Sequence, residues 1–260
     1  MPPILIVHAT GGPRRDPASL RLEWVTSTLD GLALAGARVP ADLDVDLVDL
    51  DGPAATGPAP APTAWEESVI ARWWRTASFD DPAHGPGGGS PVATVRSAEA
   101  MLTALGRSRY FVGLPHDELL RAAREMTSYL TADRAARAAT ARVRAAITPD
   151  TRAVIGFGLG SVPAVDALAD GSAVETLITL ASPLALRAEP ALPVPAPPLA
   201  RPRARTWFNL VDVADGLAAR DGLAPLYGAA VRDVSLDCDP RLRAPRPYAG
   251  TAEFGRALAH

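Results

Sequence analysis

The chain contains no lysine, so all 26 of its basic residues are arginine. With alanine and proline abundant, that reads as coding bias. It has one chemical consequence: a phosphate-cradling P-loop, which needs a lysine, is excluded. A single cysteine, Cys238, leaves no internal disulfide and no Cys-x-x-Cys metal or redox motif. No basic run is present at a formal net charge of -3, so a nucleic-acid groove is not expected. Arg137, Arg142 and Arg144 are read as a solvated helix face. No apolar stretch is long enough for a membrane span, and Ile4-Leu5-Ile6-Val7 is too short for a signal-peptide core. The expectation is a soluble, cytoplasmic protein without membrane or nucleic-acid partners, and no cofactor or metal is expected.

What is present is a repeated alternation of short apolar runs with helical spacing. Ile4 to Val7, Val45 to Leu50, Arg152 to Ile155, Glu175 to Leu180, Thr206 to Val211 and Ala230 to Leu236 read as strands. Helical patterns cover Leu20 to Leu34, Trp65 to Trp74, 97 to 109, 117 to 146 with a break near Thr131, Val162 to Leu168, and Gly250 to Ala259. Segments 52–64, 80–94 and 189–205 are dense in glycine and proline and read as loops. Asp212 to Ala218 reads as a loop entering a helix. Strands separated by helices predict an α/β fold: a mostly parallel sheet covered on both faces, with a cap-like helical insertion over about 97–147. The 260 residues suffice for one such domain spanning 1–260.

Ligand sites on these sheets lie beyond the carboxyl ends of the strands. There the most informative segment is Val154-Ile155-Gly156-Phe157-Gly158-Leu159-Gly160-Ser161, a strand that turns through alternating glycines into a helix. A dinucleotide reading fits poorly, because position 161 is serine where the third glycine belongs. The geometry is that of a nucleophile elbow, in which Gly156 and Gly160 let strand and helix approach closely. The nucleophile position, however, is Gly158. The amides of Leu159 and of the Ala9–Thr10 region remain as candidates for an oxyanion-binding pair. An ordinary tight turn that binds nothing explains the same glycines.

At this point the chain resembles the α/β-hydrolase family, in particular its bacterial serine esterase and lipase-like members. Gly156-Phe157-Gly158-Leu159-Gly160-Ser161 stands against a Gly-His-Ser-Leu-Gly-Ser elbow. Val7-His8-Ala9-Thr10-Gly11 stands against Val-His-Gly-Thr-Gly, and Thr179-Leu180-Ala181-Ser182-Pro183-Leu184 against Thr-x-Gly-Ser-Pro-Leu. Trp207 to Asp215 is similar to the segment that delivers the triad acid, with Asp215 the better match and Asp212 the neighbour. These blocks occur in family order across nearly the whole chain.

The departures fall on catalysis. Gly158 replaces serine and Phe157 replaces histidine. Arg246, beside Tyr248, stands where the late histidine is expected. Of the four histidines, His8 matches the structural histidine of the opening motif, while His84, His116 and His260 match nothing catalytic. The resemblance therefore implies a degenerate hydrolase, a pseudoenzyme that binds a small molecule or a protein partner, a homo-oligomer included. The alternative is a lyase, cyclase or isomerase that uses the cleft and the two amides, with His8, Asp212, Asp215 or Tyr248 as acid or base. The candidate site comprises Ala9, Thr10, Phe157, Gly158, Leu159, Ser182, Asp212, Asp215, Arg246 and Tyr248. Phe157 and the tryptophans Trp65, Trp73 and Trp74 are read as core or as apolar lining.

Overall fold

In the computed structural model, the described residues are 3–10, 14–52, 60–80, 97–108, 111, 114–131, 134–171, 173–188, 201–212, 222–238 and 245–260. The expectations for Gly11, His84, Asp215, most of the 80–94 loop and most of the proline-dense 189–205 segment lie outside them.

Six strands form one sheet: β1 (Ile4–Ala9), β2 (Val45–Asp49), β3 (Ala153–Gly158), β4 (Val174–Leu180), β5 (Ala204–Asp212) and β6 (Arg232–Leu236). Their order is β2-β1-β3-β4-β5-β6 and every neighbouring pair is parallel. The chain leaves β1 toward β2 on one side and β3 toward β4 on the other, so the order switches between β1 and β3. That is the place where open α/β sheets form ligand crevices.

Both faces are buried, which is why the central strands read as unbroken apolar runs. On one face Leu5, Val7, Val154 and Leu177 join α2 (Ala64–Asp80), α3 (Ala98–Leu105), α4 (His116–Leu130), α5 (Arg134–Ala146) and α6 (Ser161–Ala169) in one apolar cluster. On the other, Ile4, Ile6, Ile155, Ile178 and Leu210 pack with α1 (Pro17–Leu34), α8 (Arg246–Ala249) and α9 (Ala252–Ala259). The expected insertion is therefore a layer of the core. Leu102, Leu119, Ala123, Ala139 and Val143 belong to the same cluster as the strands.

Several boundaries differ from the expected ones for local reasons. The helix expected at Trp65–Trp74 runs over Ala64–Asp80, and it starts at Ala64 because Thr63 and Glu66 make a reciprocal capping box. Trp65 and Trp73 are buried in the core, and Trp74 is packed against it. The helix expected over 97–109 ends at Leu105, where Gly106 caps it. The break at Thr131 falls between α4 and α5 as expected, and Arg137, Arg142 and Arg144 are exposed. Two four-residue helices, α7 (Ala224–Tyr227) and α8, were too short to show periodicity. No helix among the described residues is long and apolar enough to cross a membrane.

Candidate functional site

The site is built where β1 and β3 end side by side, with Ala9 paired to Gly158 in the parallel register. Gly158 has φ +56°. A Cβ there would sit 2.5 Å from the Ala9 carbonyl oxygen. At Gly160 it would sit 2.3 Å from the Val7 carbonyl oxygen, and at Gly156 2.6 Å from the Ser161 Cα. The close strand–helix approach expected of the flanking glycines is thus present.

The two amides expected to form an oxyanion pocket are both committed. Leu159 N–H donates to the Ala9 carbonyl at 2.9 Å. Thr10 N–H donates to Asp51 Oδ1 at 2.7 Å, and the Thr10 hydroxyl donates to Asp51 Oδ2 at 2.8 Å. The register that brings Ala9 against Gly158 leaves the Leu159 amide facing a carbonyl of its own sheet. The pocket expected from these amides is corrected accordingly.

Ser182 and Ser161 form a relay. Leu184 N–H donates to Ser182 Oγ at 3.3 Å, and the two serine oxygens lie 2.8 Å apart. Ser161 donates its only hydroxyl hydrogen to the Gly158 carbonyl at 2.7 Å, which makes Ser182 the donor between them. Both hydroxyls are fully buried and spent on holding the turn. Before Ser182, Ala181 has φ 51° in the left-handed region that favours glycine, at the position where the resemblance places glycine. Ala181→Gly is expected to leave stability within about 0.5 kcal/mol in urea unfolding, because relief of left-handed strain offsets the lost methyl burial. A loss above ~1.5 kcal/mol would contradict that balance.

His8 is buried to 1% exposure and stacks face to face on Phe157, with centroids 5.3 Å apart and planes at 4°. Trp24 meets both rings edge-on, and Tyr248 meets Phe157 edge-on. Among the described residues neither ring nitrogen of His8 has a hydrogen-bond partner, and Nε2 lies 3.7 Å from Asp51 Oδ2. Burial, with the Arg15 charge second, pushes its pKa down to about 4. The imidazole is thus a buried neutral ring held in an aromatic stack. Phe157 and Tyr248 belong to the same packing.

Arg246 begins α8. It is about half exposed, and its Nη2 lies 3.7 Å from Asp30 Oδ2 on α1. The short α8 turns Tyr248 inward toward Phe157, while Arg246 reaches toward α1. Asp212 closes β5, is nearly buried, and accepts from Cys238 N–H at 3.4 Å. Asp215, the expected partner of Arg246, is outside the described residues.

Other groups gather at the ends of β1 and β2 that sequence reasoning missed. Asp51, 1% exposed, receives the two Thr10 bonds, and its own N–H donates to Asp49 Oδ1. Arg14 Nε donates to the Asp51 carbonyl at 3.1 Å. From α4, Glu125 reaches this edge: its Oε1 is 3.9 Å from where a Cβ on Gly52 would stand. Burial, followed by the Asp51 charge, pushes its pKa up to about 7 against the opposing pull of Arg121. One turn earlier, Arg121 Nε and Nη1 are closed to solvent and have no hydrogen-bond partner among the described residues. Two signals were available in the sequence: the acid-x-acid pair Asp49/Asp51 at a strand end, and the Arg121/Glu125 spacing on one helix.

A cavity of about 770 Å³ opens at the opposite, amino edge of the sheet, lined among others by Leu32, Arg38, Ala153 and Glu175. Its charged groups are exposed, Glu175 is paired to Arg152 at 3.2 Å, and Thr176 is the buried polar residue of its lining. Among the described residues no group of three or more His, Cys, Asp or Glu is set to hold a metal ion. Compared with known proteins, the chain matches no family model, no curated protein and no solved structure.

Proposed function

We propose that the chain is a degenerate α/β-hydrolase homologue that holds a small molecule at the carboxyl edge of its sheet without hydrolysing it. The observation that carries this reading is the use made of the Ala9 carbonyl. It occupies the direction a nucleophile's Cβ would take from Gly158, and it also accepts the Leu159 amide. Nucleophile position and oxyanion donor are thereby lost together. Kinship with the hydrolases is supported by the all-parallel strand order, the β3–glycine–α6 turn at the switch point, and left-handed Ala181 at the glycine position of the third motif. The order is shared by other doubly wound sheets, so the motifs carry the finer assignment.

A second reading, acid–base chemistry without a covalent intermediate, is favoured by Glu125. A carboxyl group poised near pH 7 beside the ionic Asp51 site has the protonation behaviour of a general acid or base.

The test combines a fluorophosphonate probe for activated serines with native mass spectrometry of the protein after exposure to a metabolite extract. No adduct, together with retention of a small molecule whose mass is unchanged, is the expected result. An adduct on Ser161 or Ser182, with ester turnover lost in Ser182→Ala, would overturn it. A changed mass in the extract that Glu125→Gln abolishes would decide for the second reading.

A further inference from the structure

We propose that the cavity at the amino edge of the sheet is a second ligand site, which takes an uncharged, mainly aliphatic molecule with one hydrogen-bonding group, an alcohol or a ketone. It lies at the opposite end of the strands from Gly158 and is independent of the elbow.

The cavity exists because the helix layer runs out before the sheet does. The parallel register sets Ile4, Ala153 and Thr176 in one row across β1, β3 and β4. Side chains alternate along a strand, so Thr176 shares the face of Ile178 and Leu180, which is the face that α1 and α9 cover. Leu32 is the last buried residue of α1, and that helix ends at Leu34. Leu258 is the last buried residue of α9, which ends at Ala259. Ala153, in the middle of the row, carries only a methyl group. Between Leu32 and Leu258 this leaves about 770 Å³ over the row. Small-molecule sites usually enclose roughly 300–1,000 Å³.

The buried lining is apolar except at one point. Ile4, Leu32, Ala153 and Leu258 are aliphatic, and Thr176 is 8% exposed. The Thr176 N–H donates to the Arg152 carbonyl at 3.1 Å, while the hydroxyl bonds to no other described residue. A hydroxyl can donate once and accept twice, so Thr176 can receive an alcohol O–H or donate to a ketone oxygen.

Charge stays at the rim. Arg38, Asp42, Arg152 and Glu175 are exposed, two of each sign, and Arg152 is paired with Glu175. No buried residue of the lining is charged, so an ionised group set down on the row would leave water without a partner of opposite sign. An uncharged chain has no such cost and gains from burial against the aliphatic side chains. From Ile4 to Thr176 the row covers two strand spacings, about 10 Å, which suits a chain of about six carbons.

1-Hexanol is the probe, titrated at about pH 7 against methyl-labelled protein by NMR, with hexanoate and hexylammonium as charged comparisons. Saturable shifts of the Ile4, Leu32 and Leu258 methyl signals are expected with hexanol, and both ions should bind about tenfold or more weakly. Thr176→Val keeps the shape and removes the hydroxyl, so it should weaken hexanol binding about fivefold. Ala153→Leu fills the middle of the row and should abolish the saturable shifts. Circular dichroism and Tm check both variants, and if Ala153→Leu does not fold, Thr176→Val decides alone. The proposal is overturned if these methyls show no saturable shift, if either ion binds as tightly as hexanol, or if Thr176→Val binds hexanol as wild type does. A folded Ala153→Leu protein with undiminished binding would overturn it too. So would shifts confined to Leu159, which would put the alcohol at the carboxyl edge instead.

Discussion

Replacing Gly158 by serine is expected to lower stability by about 2–5 kcal/mol and to create no esterase. Two costs add. A left-handed backbone costs an L-residue roughly 1–2 kcal/mol, and Gly158 has φ +56°. A Cβ 2.5 Å from the Ala9 carbonyl oxygen must displace either β3 or β1, at the roughly 1–3 kcal/mol typical of overpacking. The contribution of each is separable, because Gly36 has φ +67° with nothing within 4 Å of its Cβ direction. Gly36→Ala should therefore show the dihedral cost alone, about 1 kcal/mol. Gly160→Ala should exceed Gly158→Ala, since its Cβ would meet the carbonyl oxygens of both Val7 and Phe157. Denaturant unfolding of the four variants gives the ordering. A Gly158→Ser protein as stable as the wild type and able to cleave p-nitrophenyl acetate would mean that the β1 carbonyl yields and the elbow is intact.

The catalytic chemistry explains why stability and activity are linked here. In a serine hydrolase the nucleophile needs a base and an oxyanion donor acting with it, and losing one member loses nearly all the effect of the set. In this chain the Leu159 and Thr10 amides are tied to Ala9 and Asp51, and His8 is a neutral ring stacked on Phe157. Among the described residues, a hydroxyl added at position 158 would find neither an activating base nor an oxyanion hole.

How much of this was legible in the sequence follows from what kind of interaction each feature depends on. The strands β1, β3, β4 and β5 are visible because burial on both faces demands runs such as Ile4-Leu5-Ile6-Val7. The tight turn is visible because Gly156, Gly158 and Gly160 stand where a Cβ would meet the backbone of α6 or β1. The fate of the Leu159 amide was not visible. It depends on the register between Ala9 and Gly158, which pairs residues about 150 positions apart and leaves no local trace. Asp51 and Glu125 were missed for the same reason: an acid on a strand end and an acid on a helix become a coupled pair only through packing. The four-residue helix that begins at Arg246 and directs Tyr248 inward was not visible either, because so short an element leaves no periodicity.

The pH dependence of stability should expose two buried groups whose effects oppose each other. His8 titrates near pH 6.5 when unfolded and at about 4 when folded. The unfolded chain therefore binds the extra proton first, and stability present above pH 6.5 is lost as pH falls toward 4. Glu125 runs the other way, from 4.5 unfolded to about 7 folded. Its stability is full below pH 4.5 and is lost as pH rises through 7. Between pH 4.5 and 6.5 the two slopes have opposite signs and largely cancel, so the wild type should show a shallow plateau there. Each pKa unit corresponds to about 1.4 kcal/mol. With a discount for the solvent still reaching Glu125, Glu125→Gln should gain about 1–2 kcal/mol at pH 8 and nothing at pH 4. His8→Phe should gain about 2–3 kcal/mol at pH 4, where the imidazole must otherwise charge inside the Phe157–Trp24 stack, and less at pH 8. Urea unfolding from pH 4 to 8 on the two variants should yield profiles that slope in opposite directions across the wild-type plateau, Glu125→Gln rising with pH and His8→Phe falling. If both variants merely shift the wild-type curve by a constant, neither group is titrating where its surroundings demand.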